Sequence, residues 1–289
     1  MATFAQGLAR VTGPRNTILA AQGAYPTSFT LNTTLRIVGT GTGAIMTVDA
    51  QGVPVITLTL GGALTLENVT VSDTTMNNPA ISCNSGSLTL LRAMVRNANG
   101  HGISADTCTV TIDRSRISDN RAGGIILSSS GYAITNTFIV DNGFTTVPGS
   151  IMGGVSITGP PAGGPTRFDN NTVTGNATGS SAQSAGITCV TGGASLPMVN
   201  NIVWNNPGSP QTAGNCAFSN SDVQGITAGN GNINVDPLFV APGSDYHIRA
   251  TSPCRSAGNH TGATDHDFDG EARPRPAATN VDIGADEIP

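Results

Sequence analysis

Lysine is absent from this sequence: all 13 basic residues are arginine. That excludes Schiff-base chemistry and a lysine general base. Charged residues make up only 11% of the 289 positions and aromatics 4%, with a single Trp. The net charge is −5, and no basic cluster is interleaved with aromatics, so no nucleic-acid partner is expected. No apolar run approaches the ~18 residues of a membrane span, which excludes a transmembrane segment. The charged and apolar regions of a signal peptide are missing from the N-terminus. No stretch carries a convincing helical period.

What the chain has instead is glycine, 37 residues of it, and a repeat. Segments beginning at Leu64, Leu88, Val110, Tyr132, Thr166 and Leu196 align, spaced by 24, 22, 22, 34 and 30 residues. A short period with insertions at one place in the unit marks a solenoid. Within a unit, apolar residues alternate, as in Leu64, Leu66 or Val110, Ile112. That is the period of a strand with one buried face. The parity breaks once, at Asn68, Arg92, Arg114, Asn136, Asn170 and Asn200, so the chain must bend there. A further short strand follows a glycine, as at Gly102-Ile103 and Gly124-Ile125. Three short strands in about 22 residues predict one coil of a parallel β-helix, an all-β fold.

Asn120, Asn142, Asn176 and Asn206 each fall six residues after a bend, in successive coils. Stacking at ~4.8 Å would let such a column hydrogen-bond as a ladder. The extra residues at Phe144 to Met152 and Ala177 to Ser184 fall at the same turn and predict loops on one edge. Upstream, Asn16 to Leu19 and Thr34 to Gly39 read as first, irregular strands.

The chain has five cysteines, so one must stay unpaired. Cys83 and Cys189 share an inward position and read as small core residues. Cys216 and Cys254 lie in the irregular C-terminal region, where a disulfide between them would tie the appendage down, although pairing does not follow from sequence. Cys108 has no assigned role.

The regular pattern covers residues 1–231, and residues 232–289 form an appendage to the same domain. The appendage carries NVDPLF from Asn234, SPCRSAG from Ser252, DHDFDGEARPRP from Asp265 and DIGADE from Asp282. This series, after coils of the DRSRISDN and NNTVTGN kind, resembles the bacterial choice-of-anchor Q family of secreted right-handed parallel β-helix proteins, with a pectate-lyase-like fold. The resemblance covers nearly the whole chain. It implies a right-handed coil, export, and attachment to the cell surface through a variable tail, although no anchor is legible after Pro289. Asp286 stands where the family has an aromatic residue, and Ser256 where it has an acidic one. The family has no single established activity, so the resemblance implies fold and place, not chemistry.

The open end of a solenoid exposes unpaired strand edges, so the appendage reads as a cap over the C-terminal end, with Pro237, Pro253, Pro274 and Pro276 suited to a non-strand covering. Arg273 and Arg275 are expected to pair with some of Asp265, Asp267, Asp269, Asp282, Asp286 and Glu287. The spacing of Asp265, Asp267, Asp269 and Gly270 also fits the start of a calcium loop. The twelfth position is Pro276 rather than a bidentate Glu, which rejects an EF-hand. Another kind of Ca²⁺ site and plain salt bridges both remain open. No cofactor is required.

Arg92 and Arg114 share the bend in adjacent coils, with Arg96, Arg116 and Arg121 close by. Such a stripe would grip uronate or sulfate groups; local pairing with Asp106, Asp113 and Asp119 is the simpler reading. Asp119 and Asp141, with Asp73 further away, recur five residues after a bend. They could form a glycosidase pair, but Asp is favoured in turns in any case. For a lyase, Arg114 or Arg116 would be the base, with Ca²⁺ or Arg92 neutralising the uronate. His101 reads as a solvated turn residue. Trp204, Phe138 and Ile202 point outward, so something covers or binds this face; Trp204 would stack on sugar or pack under the appendage.

The expected protein is an extracellular or cell-surface monomer that binds a polysaccharide or another extended partner along one face without catalysis. Arg96, Arg121 and Trp204 are its candidate binding residues. The rival is a lyase or hydrolase of acidic polysaccharides using Arg92, Arg114, Arg116, Asp119 and Asp141. A rigid spacer with no glycan affinity is a third reading.

Overall fold

The structure, a computed structural model, describes residues 4–41, 44–47, 53–72, 78–144, 152–159, 163–179, 184–208, 210–275 and 278–289. Three parallel sheets run its length, each taking every third strand in chain order. Among the described residues the first sheet has nine strands, from Thr17–Ala20 to Cys216–Ser219, and the second nine, from Gly23–Pro26 to Asp222–Val223. The third has eight, from Phe29–Leu31 to Thr212–Gly214. This is the parallel β-helix that the repeat predicts, and Leu64, Leu88, Val110 and Tyr132 stack one above another in register. Thr17–Ala20 already pairs in register with Thr34–Gly39, so these segments are regular rungs rather than irregular strands. A short helix, Phe4–Leu8, precedes them and was not foreseen; its Phe4 ring packs on Tyr25 and Phe29.

All six parity-breaking residues have positive φ, between 47° and 58°. One left-handed residue turns the chain from the first sheet into the second and flips which side chains face in, a conformation that asparagine tolerates best. The inward residues fill one continuous core. The ladder forms as expected: Asn120, Asn142 and Asn176 each donate Nδ2 to the next Oδ1 at 2.9 Å. It ends on Gln211, whose Oε1 accepts from Asn206 at 2.8 Å. A second, unforeseen ladder follows the first bend. There Asn171 Oδ1 accepts from Thr137 N at 3.1 Å, and Asn201 Oδ1 from Asn171 Nδ2 at 3.2 Å.

The cysteines depart from the sequence reading. Cys83 pairs with Cys108 and Cys189 with Cys216, while Cys254 is a buried free thiol. Each bridge spans one coil plus a few residues, so it joins neighbouring turns of the stack. Cys216 is therefore not tied to Cys254, whose thiol donates to Asp222 Oδ2 at 3.2 Å.

The appendage reaches beyond the end of the stack. Asn232 and Ile233 extend the stack, Ile233 bridging Asp222 in parallel. A hairpin of Phe239–Ala241 and Asp245–Ile248 follows, and the segment then lies back along the outer face of the second sheet. Phe138, Val140 and Ile202 are buried there beneath Phe239, Tyr246, Ile248 and Ile283. Polar contacts pin this strap: Gly284 N donates to Asn200 O at 2.9 Å, Ala285 N to Thr172 Oγ1 at 3.0 Å and Thr264 Oγ1 to Asn136 Oδ1 at 2.9 Å. The reason is burial: outward apolar residues of a solenoid face lose contact with water only if chain is laid over them. Within the strap Arg273 is buried against Glu287 at 3.2 Å, one of its expected partners, whereas Arg275 pairs with Glu271. The loop insertions (145–151 and 180–183), Asp73 and Pro276 lie outside the described residues.

Candidate functional site

Two open cavities flank the strap on the outer face of the second sheet. The first, about 660 Å³, is lined by Asp141, Trp204, Asp236, Phe239 and Tyr246, among others. The second, about 340 Å³, is lined by Arg92, Arg114, Arg116, Phe268 and Asp269, among others. Arg116 joins them. It lines the second cavity, its Nη2 lies 3.8 Å from Asp141 Oδ2, and its guanidinium sits 5.8 Å from the Tyr246 ring centroid.

Asp141 owes its place to local backbone. It has φ 58°, as does Asp119 one coil below, and Asn205 occupies the same turn with φ 49°. The turn reading of these aspartates therefore holds, and for Asp141 the turn also serves the cavity. Stacked above it is Gly175, where a Cβ would stand 2.4 Å from Asp141 Oδ1 and 3.1 Å from Tyr246 Oη. The missing side chain makes the space in which Tyr246 Oη donates to Asp141 Oδ1 at 2.6 Å. Burial raises the Asp141 pKa and the nearby Asp119 adds to this, while Tyr246 and Arg116 oppose it.

The predicted arginine stripe divides. Arg92, Arg114 and Arg116 share a groove, whereas Arg96 and Arg121 line neither cavity. Arg114 Nε pairs with Asp113 at 3.3 Å, the expected local partner, and Arg92 pairs with Glu67. Asp119 acts on Asp141 electrostatically but does not line the cavity; Asp236 does. Trp204 packs against the buried cluster under the strap, one of its two expected roles, and also lines the first cavity. His101 is half-buried rather than fully solvated: burial lowers its pKa, and its buried Nε2 has no hydrogen-bond partner.

The calcium-like carboxylates do not converge. Asp265 is exposed beside His266 at 2.6 Å. The buried Asp267 accepts from Glu271 N at 2.7 Å and Glu287 N at 3.0 Å. Asp269 faces His247 at 3.0 Å. Tyr246, Phe239, Asp236 and Gly175 escaped the sequence reading. The first three come from an appendage with no period to align, and Gly175 merely replaces an Asp in the turn.

Residues 54–234 match the family described as "Right handed beta helix region". The chain belongs to that family. This right-handed β-helix also superposes on the crystal structure of the pectate lyase Pel9A, over 99% of this chain and 91% of that one. The TM-score is 0.57 at 14% sequence identity, a likeness of fold alone. No curated protein matches the β-helix in sequence. No helix among its described residues is long and apolar enough to cross a membrane.

Proposed function

We propose that this protein is an exported, monomeric β-helix protein that holds an extended glycan along the outer face of the second sheet, without turning it over. The observation that carries this reading is the first cavity, where the half-buried Trp204 offers ring surface beside the carboxylates of Asp141 and Asp236, backed by the buried rings of Tyr246 and Phe239. Aromatic faces stack on the apolar faces of sugar rings, and carboxylates accept from hydroxyls. The arginine groove extends the same face, so a chain crossing Arg116 would meet an aromatic, acidic site and then a basic one. Disulfides persist in oxidising compartments, which agrees with export, as does the resemblance to choice-of-anchor Q proteins. The pectate-lyase-like fold agrees with a polysaccharide partner.

Titration calorimetry against neutral and acidic oligosaccharides tests this. Binding should weaken at least tenfold in Trp204→Ala, with no new reducing or unsaturated ends after long incubation. No binding to any member of the panel would overturn it. A second reading, a glycoside hydrolase or lyase, is favoured by one observation: the raised pKa of Asp141 in the cavity it shares with Asp236. Product formation abolished by Asp141→Asn would establish that reading instead.

A further inference from the structure

A ring nitrogen of His247, an oxygen of Asp269 and an oxygen of Asp286 all lie within 4.8 Å of one another, at the edge of the arginine groove. We propose that these three residues bind a divalent transition-metal ion of the Zn²⁺ or Mn²⁺ class, which clamps the strap to itself. The residues come from separate parts of the strap: the hairpin strand Asp245–Ile248, the loop after Phe268, and the C-terminal run.

Geometry supports an ion at this point. In a ~2.1 Å shell neighbouring ligands stand ~3.4 Å apart in the tetrahedron usual for Zn²⁺ and ~3.0 Å apart in an octahedron. His247 Nε2 and Asp269 Oδ2 are 3.0 Å apart, so these two already have the spacing of neighbouring ligands. The third ligand atom lies within 4.8 Å of these two, so closing it around an ion takes at most ~1.8 Å of movement.

The histidine is presented as a ligand rather than left to rotate. Asp245 Oδ1 holds its Nδ1 at 2.5 Å, which directs Nε2 into the cluster. Its ring also packs edge-on to Phe138 and Phe268, with centroids 5.3 Å and 6.1 Å away.

Charge is the independent argument. Asp245, Asp269 and Asp286 set three carboxylates around one imidazole. Among the described residues none of the three forms an ion pair with an arginine. Asp286 is only 7% exposed, and Ile248 N, at 2.9 Å, is the hydrogen-bond donor to its Oδ2. Of the three only Asp286 is buried; a charge there is costly, and a dication would add to the balance that His247 and Arg273 supply. One nitrogen with two carboxylates suits Zn²⁺ or Mn²⁺ better than Ca²⁺, which takes six or more oxygens.

The test strips the full chain with chelator, dialyses it against Zn²⁺, Mn²⁺ or Ca²⁺, and counts bound ions by elemental analysis. One Zn²⁺ or Mn²⁺ per chain is expected, with retention reduced at least tenfold in Asp269→Asn and Asp286→Asn and unchanged in Asp265→Asn. In the unaltered protein, Mn²⁺ should broaden the NMR signals of His247 and Phe268 first, a readout that does not depend on a variant folding. No stoichiometric ion, a preference for Ca²⁺, retention in Asp286→Asn, or equal loss in Asp265→Asn would each overturn the proposal.

Discussion

Tyr246 Oη donates a 2.6 Å hydrogen bond to Asp141 Oδ1, joining the strap to a coil turn 105 residues earlier in the chain. The bond lies over Gly175, the stacked position with no side chain. Three features, a left-handed Asp, a glycine above it and a tyrosine from the strap, together make one wall of the cavity. The strap therefore builds the site as well as burying the apolar face.

Tyr246→Phe keeps the ring and removes the donor. Hydrogen bonds to charged groups are worth about 1–2 kcal/mol in a half-buried setting, so urea unfolding should show a loss of that order. The Asp141 pKa, held down in part by this bond, should rise further in an NMR titration. An unchanged midpoint would mean that the bond does not persist in solution.

Gly175→Ala should be worse than its backbone alone explains. Gly175 and Gly192 both have φ of +70°, but a Cβ on Gly192 meets nothing within 4 Å, whereas one on Gly175 meets Asp141 and Tyr246. The two alanine variants share the strain of a positive φ, about 1 kcal/mol. Only Gly175→Ala should also displace the Asp141 carboxylate and weaken glycan binding at least tenfold by calorimetry. Equal effects would show that the cradle is unimportant.

The scaffold was legible because stacking repeats its own chemistry. The bends at Asn68, Arg92 and Arg114, the ladder from Asn120 to Asn206 and the outward Phe138 and Ile202 all follow from position within a 22-residue coil. The disulfides were missed because Cys83, on a strand, meets Cys108 in a turn of the neighbouring coil that the strand pattern does not index. The path of the strap along the sheet was illegible for a related reason. Its contacts, such as Tyr246 with Asp141 or Thr264 with Asn136, link an aperiodic segment to distant coils, and no spacing encodes them. The outward apolar residues were the one signal that something had to lie on that face.

Asn142→Ala should cost about 3 kcal/mol or more, because it strands several buried groups at once. Its Oδ1 accepts from both Asn120 N and Asn120 Nδ2, and its Nδ2 donates to Ile117 O, Val140 O and Asn176 Oδ1. Asn120→Ala, at the other end of the ladder, should cost less, because among the described residues its Oδ1 accepts only from Ala98 N and its Nδ2 donates only to Val95 O and Asn142 Oδ1. Chemical denaturation of the two variants compares them; equal losses would argue that the column is not acting as a ladder.

Acid should tighten the strap, and the sign follows from three groups. Burial raises the Asp286 pKa to about 6 in the folded protein, above an unfolded value near ~4. Its stabilising contribution is therefore present below ~4 and is lost as pH rises through about 6. Burial pushes the Asp222 carboxyl to about 6 as well, with the same sign. For His247, burial acts to lower the pKa, but its hydrogen bond with Asp245 and the charges of Asp286, Asp269 and Asp245 raise it overall. That contribution is present below ~6.5 and is lost as pH rises through the folded value. Asp245 opposes them only in stronger acid. Burial acts to raise its pKa, but the His247 hydrogen bond outweighs this and lowers it, so its contribution is lost below the usual carboxylate range. Melting in chelator should thus give a higher Tm at pH 5 than at pH 8. The difference should shrink in Asp286→Asn, where the ionisable group is gone. A Tm that is flat, or that climbs with pH in the unaltered protein, would show that these groups do not set the stability of the docked strap.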